Sequence, residues 1–369
     1  MWAKCALIGV LCGLCSSVSA NTTDAPLAPP RIALILPLRS DTLGRAAEAV
    51  RAGFQAAWER DRGDATLTVI ETGDSSKEIL SVYAEAVAGH DIVVGPLSRT
   101  DVTALALSRI VNIPTIALTQ PDISIETDGT LPRNLLVIGL SLEDEARQAA
   151  RWAGSGKKSA RALVLSTTAT WQRRAAHAFA GQWQQAGFEA QSVELPTSGG
   201  YFSANAIALL KKRIQSDKPT LLFLALDATQ ARQLRSALGS DLPPMYGLSQ
   251  LNPLVPQDAD SNRLSELDGV RLLDLPWQIA LAHPAVMIYP RLLDSAEQKR
   301  SADLERLYAL GIDAFRIARE IGLRHTDFDL DGVSGKLHVS FGNGATRFER
   351  TALQAVYRDG VVVPLNADH

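Results

Sequence analysis

The chain has 369 residues, 46% of them apolar, and 37 basic residues face 40 acidic ones for a net charge of −3. That length exceeds the ~250–300 residues at which one hydrophobic core usually divides, so two domains are expected. The slightly acidic balance and the lack of any basic run argue against a nucleic-acid-binding or membrane-surface protein.

Residues 1–20 carry a positive charge at Lys4, an apolar core from Ala6 to Leu14 and the small-residue end Val18-Ser19-Ala20. This is the pattern of a cleaved export signal, which predicts a periplasmic protein beginning at Asn21. About a dozen apolar residues fall short of the ~18–20 needed to cross a bilayer, and no later stretch comes close, so no transmembrane segment is expected. Cys5, Cys12 and Cys15 all lie in this leader, leaving the mature chain without a disulfide. Leu11 and Leu14 precede the two later cysteines, where lipidation calls for a small residue, so an outer-membrane lipoprotein is the disfavoured alternative. Residues 21–30, with Pro26, Pro29 and Pro30, read as a tether.

Arg31 to Leu38 is a continuous apolar run suited to a strand buried on both faces. The stretch Gly44–Arg60 then places Ala47, Val50, Phe54 and Trp58 on one helical stripe. Strand-like runs recur at Thr66–Ile70, Asp91–Val94, Thr115–Leu118 and Leu135–Ile138, with helical patterns at Ser76–Val87 and Thr100–Ile110 between them. Alternating β and α elements imply a mostly parallel sheet covered by helices. The rhythm restarts at Ser141, which caps a helix whose first turn holds Glu143, Asp144 and Glu145. Strands are predicted at Ala162–Leu165, Ser192–Leu195, Leu221–Leu226 and Pro244–Leu248, and helices at Gln172–Ala186, Ala204–Gln215 and Thr229–Leu238. An irregular stretch from Ser249 to Leu275 and a proline-rich region precede a helix over Ser301–Leu323, and short strands are predicted at Gly335–Phe341, Ala352–Arg358 and Val361–Pro364.

Catalytic motifs are missing. There is no nucleophile elbow, phosphate loop or dinucleotide fingerprint, and Ser155-Gly-Lys-Lys158 lacks the companion motifs that its Ser-x-x-Lys spacing would need. The histidines never adopt the i, i+4 spacing of a zinc helix. Asp327-Phe-Asp-Leu-Asp-Gly332 resembles the start of a calcium loop, but its twelfth position is His338 instead of glutamate, so a polar hinge turn is the expectation. Neither a cofactor nor a metal is predicted. Trp58 and Trp183 read as core, while Trp171 and Trp277 suit either a core or a cleft.

Two α/β lobes in an exported chain resemble a type I periplasmic binding protein. More specifically, Ile32-Ala-Leu-Ile-Leu-Pro-Leu38, Gly53-Phe-Gln-Ala-Ala57, Val94-Gly-Pro-Leu97, Leu140-Ser-Leu-Glu-Asp-Glu-Ala146 and Arg306-Leu-Tyr-Ala-Leu-Gly-Ile-Asp-Ala-Phe315 resemble the C-terminal domain of the penicillin-binding protein activator family. The resemblance implies two doubly wound lobes joined by three crossovers, near 139–141, 275–277 and 326–328. One lobe would then hold 31–139 and 276–325, the other 140–275 and 326–365. It further implies a non-enzymatic regulator whose partner is a class A penicillin-binding protein. Long members of the family carry an N-terminal helical-repeat domain and a lipidated cysteine, and this chain is read as having neither.

A small polar ligand, if bound, would sit outside the carboxyl ends of the strands, between the lobes. That rule selects Arg39, Ser40, Asp41, Thr42, Leu97, Ser98, Arg99, Thr119 and Gln120 on one side, and Ser141, Thr168, Trp171, Asp227, Ser249 and Gln250 on the other. Ser98 and Thr119 could donate to a carboxylate and Asp227 could accept from an ammonium group. The competing expectation is that Ser141 and Asp227 simply cap helices. These positions keep open an alternative function, a solute-binding receptor for an amino acid or similar ligand of an ABC transporter or sensor.

Overall fold

The computed structural model describes residues 28–365 except 124–129, 240, 254–262, 293–300 and 343–345. The stretch read as an export signal, its cysteines and most of the expected tether lie outside the described residues.

Strands β1 (Arg31–Leu36), β2 (Thr66–Glu71), β3 (Ile92–Val94), β4 (Thr115–Ala117) and β5 (Leu135–Val137) form a parallel sheet in the order β2-β1-β3-β4-β5. Helices α1 (Gly44–Asp61), α2 (Ser76–Gly89) and α3 (Arg99–Leu107) connect them. The unbroken apolar run of β1 follows from its two covered faces. Ile32, Leu34 and Leu36 pack with Val50 and Phe54 of α1, while Ala33 and Ile35 pack with Ile79 and Tyr83 of α2.

The second sheet begins after α4 (Leu142–Gly154), through β6 (Arg161–Ser166), α5 (Thr170–Gln185) and β7 (Glu189–Glu194). A small hairpin, β8 (Thr197–Ser198) and β9 (Tyr201–Phe202), precedes α6 (Ala204–Asp217), β10 (Leu221–Leu224), α7 (Ala228–Leu238), β11 (Met245–Gly247) and β12 (Arg271–Asp274). Strand β12 lies inside the stretch expected to be irregular. At four residues it is too short to show a period, yet Leu272 and Leu273 are fully buried.

From Leu275 the chain returns to the first core through α8 (Pro276–Ile279), α9 (Pro284–Met287) and α10 (Ala302–Gly322). Strands β13 (Asp327–Gly332), β14 (Gly335–Ser340) and β15 (Arg347–Thr351) then form an antiparallel sheet of their own. Its Leu337 and Val339, with Val333 and Phe341 at the strand ends, join the core of the first lobe. Only β16 (Leu353–Arg358) and β17 (Val361–Pro364) add to the second sheet, antiparallel to β12, giving β17-β16-β12-β11-β10-β6-β7. The final passage to the second sheet therefore falls at Ala352, later than the 326–328 implied by resemblance. The hinge turn expected at Asp327–Gly332 is strand β13. Asp327, Asp329 and Asp331 face solvent while Phe328 and Leu330 pack inward, an alternation masked by the acidic composition. Trp183 and Trp277 are both fully buried, whereas Trp58 and Trp171 are partly exposed against the cores.

Helix α10 crosses α1 at two glycines. A Cβ on Gly53 would lie 1.9 Å from the Tyr308 carbonyl oxygen, and one on Gly311 would lie 2.1 Å from that of Val50. Backbone touches backbone, so neither position can yield by a side-chain shift. Gly311→Ala should destabilise by at least about 1–3 kcal/mol, through overpacking. By contrast, a Cβ on Gly181 of α5 meets nothing within 4 Å, and Gly181→Ala should stabilise by about 0.4–1 kcal/mol through its effect on the unfolded chain. Denaturant titration of the two variants reads opposite signs.

Candidate functional site

In both parallel sheets the strand order reverses beside the first strand, between β1 and β3 and between β6 and β10. The loops selected from the sequence leave these strand ends. Most of their polar groups already have local partners. Ser40 is buried, accepts from the Leu43 amide at 2.9 Å and donates to Asp74, fixing the entry to α1. Arg39 pairs with Glu78, Asp41 donates its amide to Asp74, and the Thr42 amide donates to Ser40. Leu97 belongs to the first core. Ser98 caps α3 by accepting from the Asp101 amide at 3.2 Å, and Arg99 opens that helix. Ser141 caps α4 in the same way through Asp144 at 3.1 Å. Asp227 forms a complete capping box with Gln230 on α7. Trp171 packs on the second core, and Thr168 is an exposed residue of the loop ahead of α5.

Ser249 and Gln250 do come together with the other lobe. They form a single 3-10 turn, Ser249–Leu251, after β11. Gln250 donates to Asp303 of α10 at 3.3 Å, and the Ser249 carbonyl accepts from Arg306 of α10 at 2.7 Å. Arg306 was not singled out from the sequence, although it opens a segment used for the resemblance. Its guanidinium is buried and also donates to the Asn252 carbonyl at 3.0 Å and to both oxygens of Asp274, at 3.3 and 3.1 Å. Asp274 is fully buried at the end of β12 and accepts further bonds from Asn252 and the Leu275 amide. One side chain thus ties the first lobe's long helix to the second lobe's sheet.

Glu145 of α4 holds the same turn from within the second lobe, accepting from the Ser249 amide and hydroxyl, each at 3.1 Å. Removal from water, opposed by these bonds and reinforced by Asp274, pushes its carboxyl up to about 7. A third network starts at Asp313, fully buried in α10, which accepts from the Val333 and Ser334 amides and the Ser334 hydroxyl. Ser334 in turn accepts from Arg350 at 3.0 Å, and Arg350 donates to the carbonyls of Gly139 and Ile138 at 3.0 and 2.8 Å. Gly139 itself is needed for proximity: a Cβ there would lie 2.5 Å from the Thr119 Cα.

Between these networks lies a cavity of about 450 Å³. Of the residues selected from the sequence it is lined by Gln120 and Ser141. Thr119 abuts Gly139 at its edge. The remaining walls come from residues that strand-end reasoning missed, among them Glu145, Arg147, Leu275 and Arg350. Among the described residues, no group of three or more His, Cys, Asp and Glu side chains is placed to hold a metal ion, and no helix is long and apolar enough to cross a membrane.

Two outcomes follow from these networks. Arg306→Met strands the buried Asp274 charge and should cost about 3–5 kcal/mol, with part recovered by adding Asp274→Asn, as measured by denaturant unfolding. For Glu145 the folded state holds a proton that the unfolded chain releases near the ordinary value of 4.5. Its contribution is therefore present at low pH and is lost as pH rises from there through about 7. Glu145→Gln should flatten this part of the stability–pH curve and raise the melting temperature at about pH 8 relative to the parent chain.

Comparison with known proteins places this geometry in a family. The chain matches, over residues 25–360, the family described as "LppC putative lipoprotein". "Penicillin-binding protein activator LpoA" of Photobacterium profundum is 28% identical over 344 residues, covering 84% of this chain and 53% of that protein. The chain spans about half the length of the curated relatives it matches. Among solved structures, a "putative branched-chain amino acid ABC transporter" from Chromobacterium violaceum ATCC 12472 is 35% identical, with a TM-score of 0.69 over 89% of this chain and all of that one. The LpoA (YraM) C-domain from Haemophilus influenzae, a regulator of PBP1A, shares the fold at 22% identity, with a TM-score of 0.67 over 91% of this chain and 99% of that one. A two-lobed, parallel-sheet fold of the type I periplasmic binding protein kind, matched almost end to end, makes this chain a member of the LppC family.

Proposed function

We propose that the protein is a non-enzymatic regulator in the bacterial periplasm that docks on a class A penicillin-binding protein and stimulates peptidoglycan synthesis. The observation that carries this reading is the family match over residues 25–360, together with relatives named as penicillin-binding protein activators across most of the chain. The local chemistry agrees with it. At the strand ends Ser98, Ser141 and Asp227 are each committed to a helix cap. Purified protein should raise glycan polymerisation or peptide crosslinking by its cognate class A enzyme. Unchanged rates together with no measurable association would refute the reading.

A second reading, a solute-binding receptor serving an ABC transporter or sensor, is favoured by the Chromobacterium violaceum structure, which is similar along its whole length. A ligand that binds only the folded chain would stabilise it by about 2.7 kcal/mol at a hundredfold excess over Kd. A metabolite thermal-shift screen without a shift, alongside stimulated synthase activity, selects the first reading.

A further inference from the structure

Lysine is unevenly placed on this surface. Of the seven lysines among the described residues, Lys157, Lys158, Lys211, Lys212 and Lys218 gather at one end of the second lobe. Lys157 and Lys158 lie in the loop ahead of β6, and the other three on the last two turns of α6 and at its C-cap, ahead of β10. β6 and β10 are adjacent parallel strands, and where they begin the Arg161 amide donates to the Thr220 hydroxyl at 2.9 Å. Two short stretches far apart in the sequence thus make one patch, which is why no long basic run betrays it.

All five lysines are exposed. The carboxylates among them are Asp217 and Glu189, and each is taken by an arginine, Arg213 at 3.2 Å and Arg161 at 2.8 Å. Five lysines and two arginines therefore stand against two carboxylates, and the next acid along the strand ends is Asp241, ahead of β11. Helices α4, α5 and α6 end on this side, but a helix C-terminus amounts to only about half a negative charge, so the three leave the patch positive. Leu209, 61% exposed, is three residues before Lys212 and borders the patch on the same side of α6.

We propose that this end of the second lobe rests on an anionic phospholipid surface, its lysines among the phosphates and Leu209 at the boundary between headgroups and acyl chains. The choice of residue favours a fluid surface over a structured one. The arginines, whose planar forks suit carboxylates or phosphates at fixed positions, are held by Glu189, Asp217 and the Asp217 carbonyl. The cations left without an ion pair are all lysines, compact charges on flexible stems that need no fixed partner geometry. Each lysine brought close to a negatively charged bilayer strengthens attachment about fivefold, so several together hold without a preformed cavity. The whole-chain charge of −3, which argued against a membrane-surface protein, averages over this patch. The inference does not depend on the partner enzyme and stands whether or not the regulator reading holds.

The test is cosedimentation of the full chain with vesicles of equal parts phosphatidylglycerol and phosphatidylcholine, with pure phosphatidylcholine vesicles as background. The chain should bind the anionic vesicles above that background, and added salt should remove the excess. Lys157→Gln, Lys158→Gln, Lys211→Gln and Lys212→Gln combined in one chain should weaken the excess binding at least about tenfold. The loop pair Lys157→Gln and Lys158→Gln, which alters no helix, should weaken it at least about fivefold and keeps the test decisive if the larger variant does not fold. Lys336→Gln, at an exposed lysine of β14, should leave it unchanged. No binding above background at low salt would overturn the proposal, as would excess binding that the folded lysine variants keep. Soluble polyglutamate bound as tightly as the anionic vesicles would assign the patch to an acidic protein surface and overturn it as well.

Discussion

The buried guanidinium of Arg306 sets the terms for much of the molecule. A charge removed from water must be met by acceptors at fixed positions, and here they are two backbone carbonyls and one fully buried carboxylate from the opposite lobe, together with Asp303 one turn earlier on its own helix. Meeting that requirement aligns the turn at Ser249, the end of β12 and the face of α10 at once. Nearby, the buried Trp277 donates to Glu305 at 2.7 Å, one residue before Arg306, so α8 is held to the same helix. The lobes are joined by polar groups that need each other, and sliding them apart would leave Asp274 without its counter-charge.

Much of the architecture was legible because parallel strands buried on both faces advertise themselves as unbroken apolar runs. β1, β6 and β10 are of this kind, and the helices between them carry clear stripes. The elements that escaped are those whose neighbours decide the matter. β12 has too few residues for a pattern, and β13 and β15 carry charges on their outer faces that resemble turn composition. Their pairing with β14 gives them their conformation, and pairing is non-local information.

The site was harder to read. Strand-end reasoning locates loops correctly, but it is blind to which side chains a helix N-terminus will claim. Ser98, Ser141 and Asp227 each satisfy a backbone amide; the acidic first turn after Ser141 and the capping-box spacing at Asp227 were visible warnings, and Ser98 carried none. Glu145, Asp313 and Arg350 had no such signal, because their importance arises from partners brought close only by the fold. Ser249 and Gln250, by contrast, form a joint to α10.

The close passage of α1 and α10 has a further consequence, for the order in which the molecule is assembled. The first sheet's core needs a helix made far later in the chain, and other contacts repeat this pattern: Tyr289 donates to Asp61 across 228 residues, and Arg350 reaches Ile138 across 212. Such a topology has a high contact order and must close long loops before its interior is sealed. The N-terminal strands and α1 emerge with their apolar faces uncovered and wait for the C-terminal third of the chain. Until that third has been made, the apolar face that α10 covers on α1 has no cover from its native partner.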